Sequence, residues 1–123
     1  MRMDTSQGET AADWLNQTPE IEITQALYDY ADERWAARIA SLIIEMRRER
    51  PFETTGDLVR AVDRAIPKAV RQKDSGHPAR RAFQAVRIAV NDELAPLADA
   101  VNDWVDMLKP GGRMCVISFH SIE

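Results

Sequence analysis

The 123-residue chain is poor in several residue types, and each shortage closes off a class of chemistry. Its one cysteine, Cys115, excludes an internal disulfide and a multi-cysteine zinc site. Two histidines, His77 and His120, are little to build a transition-metal centre from, and no metal site is expected. Glycine occurs five times with one adjacent pair, Gly111-Gly112, so no glycine-rich loop is available to cradle a nucleotide phosphate. No apolar run approaches the ~20 residues that cross a bilayer. The first dozen residues are polar, with Asp4 and Glu9 among them, and do not read as a secretion signal. No membrane association is expected.

What is present is an ordinary globular balance: 45% hydrophobic residues, 29% charged and a net charge of −4. Such a chain buries enough apolar surface to fold, and its length allows one domain rather than two independent cores. The mean charge hides an asymmetry. Residues 34–87 hold 13 Lys and Arg against 6 Asp and Glu, a net of +7, whereas the flanks together stand at −11. A basic middle suits a polyanion such as RNA, and it equally suits helices that are simply well solvated.

Helix signals dominate the pattern. Thr10 to Asp13 has capping-box spacing ahead of a short helix carrying Trp14 and Leu15. Thr18-Pro19-Glu20 restarts the pattern for a second helix reaching about Tyr30, with Ile23 and Leu27 on one side. Trp35, Ile39, Leu42, Ile43 and Met46 form one apolar stripe, which Pro51 ends. Thr54 to Asp57 repeats the capping spacing before Leu58, Val62 and Ile66, and Pro67 closes that element. Residues 68–76 read as an exposed basic loop.

His77-Pro78 opens a longer helix with two stripes. Ala79, Phe83, Val86, Val90 and Leu94 make a core face. Arg80, Gln84, Arg87 and Asn91 fall within a narrow arc about a quarter-turn away, at ~100° per residue. Two guanidiniums interleaved with two carboxamides present forked donors and acceptors to phosphate, ribose or base edges; the same row also suits a polar network bracing neighbouring helices. Pro96 starts a last helix through Val101, Trp104 and Leu108, with the three tryptophans of the chain expected in the core. Lys109-Pro110-Gly111-Gly112 stops it. Met114 to Phe119 is then apolar at nearly every position, the mark of a strand covered on both faces, with Cys115 buried inside it. A lone strand cannot satisfy its own backbone, so the chain reads as part of something larger.

Six segments stand in one order: Met1-Arg-Met-Asp4; Ala11-Ala-Asp-Trp-Leu-Asn16; Glu33-Arg34 with Arg38-Ile39-Ala40; His77-Pro-Ala-Arg-Arg-Ala-Phe-Gln-Ala-Val-Arg-Ile88; Val90-Asn-Asp-Glu-Leu94; and Pro110-Gly-Gly-Arg113 with Ile117-Ser-Phe-His-Ser121. Together they resemble the bacterial 16S ribosomal RNA cytosine-N4 methyltransferase family of the MraW type, across essentially the whole chain. In that family a Rossmann-like domain that uses S-adenosylmethionine is interrupted by a helical insertion that engages RNA. The resemblance implies a mainly α fold, a bundle of about six helices, with one C-terminal strand left from an incomplete Rossmann-like sheet. It divides the chain into a helical substrate-recognition part, residues 1–95, and a helix and strand of the core, residues 96–123. Ala31 departs from the glycine that family members often carry there.

The family's glycine-rich cofactor loop and its Ser-Ser-Pro-Gln stretch are expected before Met1, and further family sequence after Glu123. The resemblance therefore implies a cytoplasmic methyltransferase parent acting on 16S RNA in the small ribosomal subunit. S-adenosylmethionine serves the full-length enzyme and is not expected to bind this chain, which should be inactive alone. His120 and Ser121 are the active-site candidates, at the carboxyl end of the expected strand. Arg80, Gln84, Arg87 and Asn91, with His77 and Arg81 beside them, are the RNA-binding candidates, although His77 next to Pro78 also reads as a helix-start residue. A stand-alone helical RNA-binding or protein-interaction module without catalysis is the alternative. The exposed C-terminal strand is expected to drive a homodimer, strand exchange or local disorder.

Overall fold

Thr10 stands where the first helix begins. Its hydroxyl accepts the Asp13 amide at 3.0 Å, and the Asp13 carboxylate takes the Thr10 amide at 3.1 Å. This reciprocal cap satisfies two donors that a helix start leaves open, and it begins α1 (Ala11–Gln17). The computed structural model describes residues 1, 6, 8–71, 76–118 and 122. Among them follow α2 (Glu20–Asp29), α3 (Ala36–Glu49), α4 (Thr55–Ala65), α5 (Lys68–Arg71), α6 (Arg80–Asn91) and α7 (Ala95–Asp106). The chain separates into two units, Met1–Asn91 with α1 to α6, and Asp92–Glu123 with α7.

In the first unit α2 packs on α3 and α6, α3 also meets α4 and α1, and α1 meets α6. Ile23, Leu27, Ile39, Ile43, Val62 and Val86 are wholly buried where these helices converge. Each such side chain contributes about 1.5–3 kcal/mol relative to exposure. On α6 the residues deepest in the core are Ala82, Ala85 and Val86, preceded by Ala79, whereas Phe83 and Val90 are only half-buried. The small alanines let this helix approach its neighbours closely, so the buried arc is turned toward them and away from the bulkier stripe.

Polar ties fix the helices' mutual placement. Asn16 Nδ2 donates to the Phe52 carbonyl at 2.9 Å, and its Oδ1 accepts the Phe52 amide at 2.8 Å, a two-way clamp across 36 positions. Arg47 donates to the carbonyls of Leu15 and Thr18 at 2.9 and 2.7 Å, satisfying acceptors at the end of α1. Buried Glu33 accepts the Trp35 amide at 2.9 Å in the turn before α3.

Several boundaries differ from the sequence pattern. Thr18 closes α1 where the pattern ends that helix, with its amide on the Trp14 carbonyl, but it does not cap α2, which hangs from the Pro19 carbonyl. Of the expected loop over residues 68–76, Lys68–Arg71 is a short helix, because Pro67 accepts two amides and Arg71 Nη1 donates to Asp63 Oδ1 at 2.6 Å; residues 72–75 lie outside the described residues. Helix α6 starts at Arg80 and ends at Asn91, short of Leu94, where Asp92 takes the left-handed conformation at φ +46°. Ala31 is buried in the turn after α2, ahead of Asp32 at φ +47°.

The second unit is different in kind. Helix α7 has Pro96 in its first turn and no buried residue; Trp104 is 43% and Met107 72% exposed, so Trp104 is not a core residue. The Lys109–Gly112 turn needs its glycines. Gly111 sits at φ +79°, and a Cβ on Gly112 would fall 2.8 Å from the Lys109 carbonyl oxygen.

The expected C-terminal strand is not formed. Residues 113–118 carry no regular structure, and among the described residues there is no strand at all. The fold class is therefore helical, without the Rossmann-like strand that the resemblance implied. A strand exists only through a partner edge, and no other extended segment of the second unit is described to provide one. Its apolar residues stay exposed instead, Ile117 at 77%, and Cys115 lies on the surface rather than buried.

Candidate nucleic-acid interface

Helix α6 carries most of the candidate residues, and its start explains one of them. His77 Nδ1 accepts the Ala79 amide at 3.2 Å, and the His77 carbonyl accepts the Arg80 amide at 3.0 Å. The imidazole thus occupies a first-turn donor in the way a capping side chain does. It is a helix-start residue by geometry.

The four-residue row on α6 divides into two behaviours. Gln84 is half-buried and donates from Nε2 to the Tyr30 carbonyl at 2.8 Å, tying α6 to the turn that follows α2. Asn91 donates from Nδ2 to the Arg87 carbonyl at 2.7 Å and to the Met1 carbonyl at 3.0 Å. The two carboxamides therefore brace backbone. Arg80, Arg81 and Arg87 are exposed, and among the described residues Arg80 and Arg81 have no ion-pair partner. The Arg80 and Arg81 guanidiniums present planar sets of donors to solvent, suited to phosphate. His120 and Ser121 lie outside the described residues.

A second cationic cluster, unremarked in the sequence pattern, surrounds Asp57 at the start of α4. Asp57 is buried, and its Oδ2 accepts the amides of Thr54 at 2.7 Å and Glu53 at 3.1 Å and the Thr54 hydroxyl at 2.8 Å. Its Oδ1 accepts Arg50 Nη2 at 2.7 Å and also Arg60 Nη2. Donation from the Thr54 backbone and hydroxyl, then from the Glu53 amide and Arg50, holds the carboxyl far below its ordinary value, against the opposing effect of burial. Arg64 meets Glu45 at 3.7 Å with both side chains exposed. The signal for this cluster was an aspartate at the third helical position with an arginine three residues on. Its reach to Arg50 depended on the chain reversal at Pro51.

Among the described residues no group of His, Cys, Asp and Glu is placed to hold a metal ion, and no helix is long and apolar enough to cross a membrane. Of the described glycines, Gly8, Gly76 and Gly111 face open space, and Gly112 is crowded only by its own turn and Leu108.

The sequence pattern described as the MraW methylase family matches residues 1–123. Proteins named ribosomal RNA small subunit methyltransferase H are similar over the whole chain. The Symbiobacterium thermophilum protein is 51% identical over 123 residues, which is 100% of this chain and 38% of that protein. Those of Heliobacterium modesticaldum and Methylococcus capsulatus are each 53% identical over the same 123 residues, covering 39% and 40% of their lengths. The chain thus spans well under half the length of these curated relatives. With its full length matched and half its positions identical to such relatives, the chain belongs to the MraW methylase family.

Proposed function

We propose that this chain is the RNA-recognition part of an S-adenosylmethionine-dependent methyltransferase that modifies N4 of a cytidine in 16S RNA on the small ribosomal subunit. The observation that carries the reading is the outer face of α6. Arg80, Arg81 and Arg87 are exposed within a segment of net charge +7, on a helix whose carboxamides lock it to the bundle. Arg80 and Arg87 share one side of the helix and Arg81 lies about a quarter-turn away; phosphate contacts from guanidiniums held this way orient an RNA without reading its sequence.

Transfer to an exocyclic amine requires the methyl group and the nitrogen in line, with the base drawn out of its stack. S-adenosylmethionine supplies the methyl group in the whole enzyme. Within that enzyme this chain binds and orients the RNA, and methyl transfer belongs to the whole protein. Residues 1–95 act as the substrate-recognition part and residues 96–123 belong with the methyltransferase core; the separation of the described chain at Asn91 supports a two-part reading. His120 and Ser121 remain active-site candidates in the whole cytoplasmic enzyme. The exposed apolar residues of α7 and residues 114–117 favour self-association of this chain.

The test is a salt titration of binding to a labelled small-subunit RNA hairpin. Affinity falls steeply with salt, and Arg80→Gln with Arg81→Gln lowers it about tenfold. The same pair reduces the slope of log K against log salt by about 0.7 for each phosphate no longer neutralised. Absence of RNA binding at low salt refutes the reading.

A further inference from the structure

The acidic side of the first unit carries a cleft that the RNA reading does not use. It has a volume of about 300 Å³ and lies along α2, walled by Trp14, Tyr30 and Ala89, with Glu22, Gln25 and Asp29 also lining it. Trp14 and Tyr30 are half-buried, so they supply aromatic surface without being lost in the core. Both carboxylates belong to exposed residues. Asp29 accepts only Gln25 Nε2, at 3.2 Å, and neither carboxylate has an ion-pair partner among the described residues.

The surroundings repeat this chemistry. Helix α2 contains no lysine or arginine, and Glu20 is exposed at its start. Ile21, which also lines the cleft, is 72% exposed and Tyr28 63%, seven positions apart and therefore on one side of the helix. Phosphate is repelled from such a face. A cation is attracted, since aromatic rings and carboxylates both favour it, and a guanidinium stacks on the one while forking to the other.

We propose that this cleft is a docking site for a basic protein segment, which inserts an arginine side chain between Trp14 and Tyr30 and pairs it with Glu22 and Asp29. Ile21 and Tyr28 receive the apolar residues flanking that arginine. An arginine anchor in an aromatic pocket with a polar rim has the composition of an interface hot spot. The site uses none of the α6 guanidiniums, although Gln84 holds the Tyr30 carbonyl and Ala89 walls the cleft, and it gives the chain a second, protein-directed face.

The experiment is fluorescence anisotropy of a labelled nonapeptide alternating arginine and leucine, at low salt, against the full chain. Glu22→Gln with Asp29→Asn weakens binding about tenfold or more, whereas Glu45→Gln with Glu49→Gln, an equal charge change on α3, alters it less than twofold. Ile21→Asn is the second variant and also weakens binding, with helicity by circular dichroism unchanged for each protein because the altered side chains are exposed. A lysine-for-arginine peptide binds more weakly than the arginine peptide. Absence of peptide binding overturns the proposal, as does equal weakening by the two carboxylate pairs. A labelled RNA that competes with the peptide, and whose own binding the Glu22/Asp29 variant weakens, also overturns it, because the face would then serve nucleic acid.

Discussion

Replacing Asp57 by asparagine removes one charge and turns two of the carboxylate's acceptor positions into donors. In the folded chain Oδ2 alone takes three donors, the Thr54 amide, the Glu53 amide and the Thr54 hydroxyl, while Oδ1 takes Arg50 and Arg60. An asparagine oxygen turned toward Oδ2 keeps the cap but aims an NH2 group at two guanidiniums; turned the other way it leaves the amides facing a donor. Loss of the cap costs about 1 kcal/mol, and an unsatisfied buried donor costs about 1–3 kcal/mol. The arginines contribute little to the loss, because with side chains 64% and 56% exposed they return to water. The expected destabilisation is about 2–4 kcal/mol. For a unit of this size that lowers Tm by roughly 10–25 °C.

Urea and thermal unfolding followed by circular dichroism measure it, and the pH dependence provides a second readout. The folded carboxyl ionises far below its unfolded value, so its stabilisation is complete above the ordinary carboxylate range near ~4 and is lost as pH falls below it toward the folded value. The parent should therefore lose stability as pH drops below ~4 more steeply than Asp57→Asn does. A variant within about 0.5 kcal/mol of the parent, or an unchanged acid limb, refutes the assignment of Asp57 as the organiser of this corner.

Asn16→Ala breaks both halves of the clamp on Phe52 and should cost about 1–3 kcal/mol in denaturant titration, without altering the urea dependence of the free energy. Ile39→Ala, at the centre of the bundle, should cost about 2–5 kcal/mol by the same measurement. Gln84→Ala should loosen the Tyr30 turn, read as faster amide exchange at residues 31–33. In the second unit, Trp104→Lys with Ile117→Lys should reduce concentration-dependent association in sedimentation velocity, because both side chains are exposed.

Helix periodicity made most of the first unit legible, since the apolar stripes of α2, α3 and α4 coincide with buried residues such as Ile23, Ile43 and Val62. Caps were legible wherever donor and acceptor lie three residues apart, as at Thr10 and Asp13. Links spanning distant positions were not. The pairing of Asn16 with Phe52, and of Arg47 with Leu15, follows from how helices dock, which no local pattern encodes. The same limit explains the absent strand. Met114 to Ser118 has the composition of a covered strand, but composition states only what a segment tolerates, and pairing needs a second edge. On α6 the spacing picked out Arg80, Gln84, Arg87 and Asn91 as one row, and only coordinates separate the exposed guanidiniums from the carboxamides that hold carbonyl groups.

The alanines of α6 and the one just before it set a constraint on how far this chain can drift. Ala79, Ala82 and Ala85 have no exposed surface, so a single added methyl group at any of them must push the helix outward. Arg80, Arg81 and Arg87 would travel with it. On the proposed RNA-binding role, their reach is thus set from behind, by side chains that never meet the RNA, and a valine for alanine exchange there would weaken binding while leaving every charge in place.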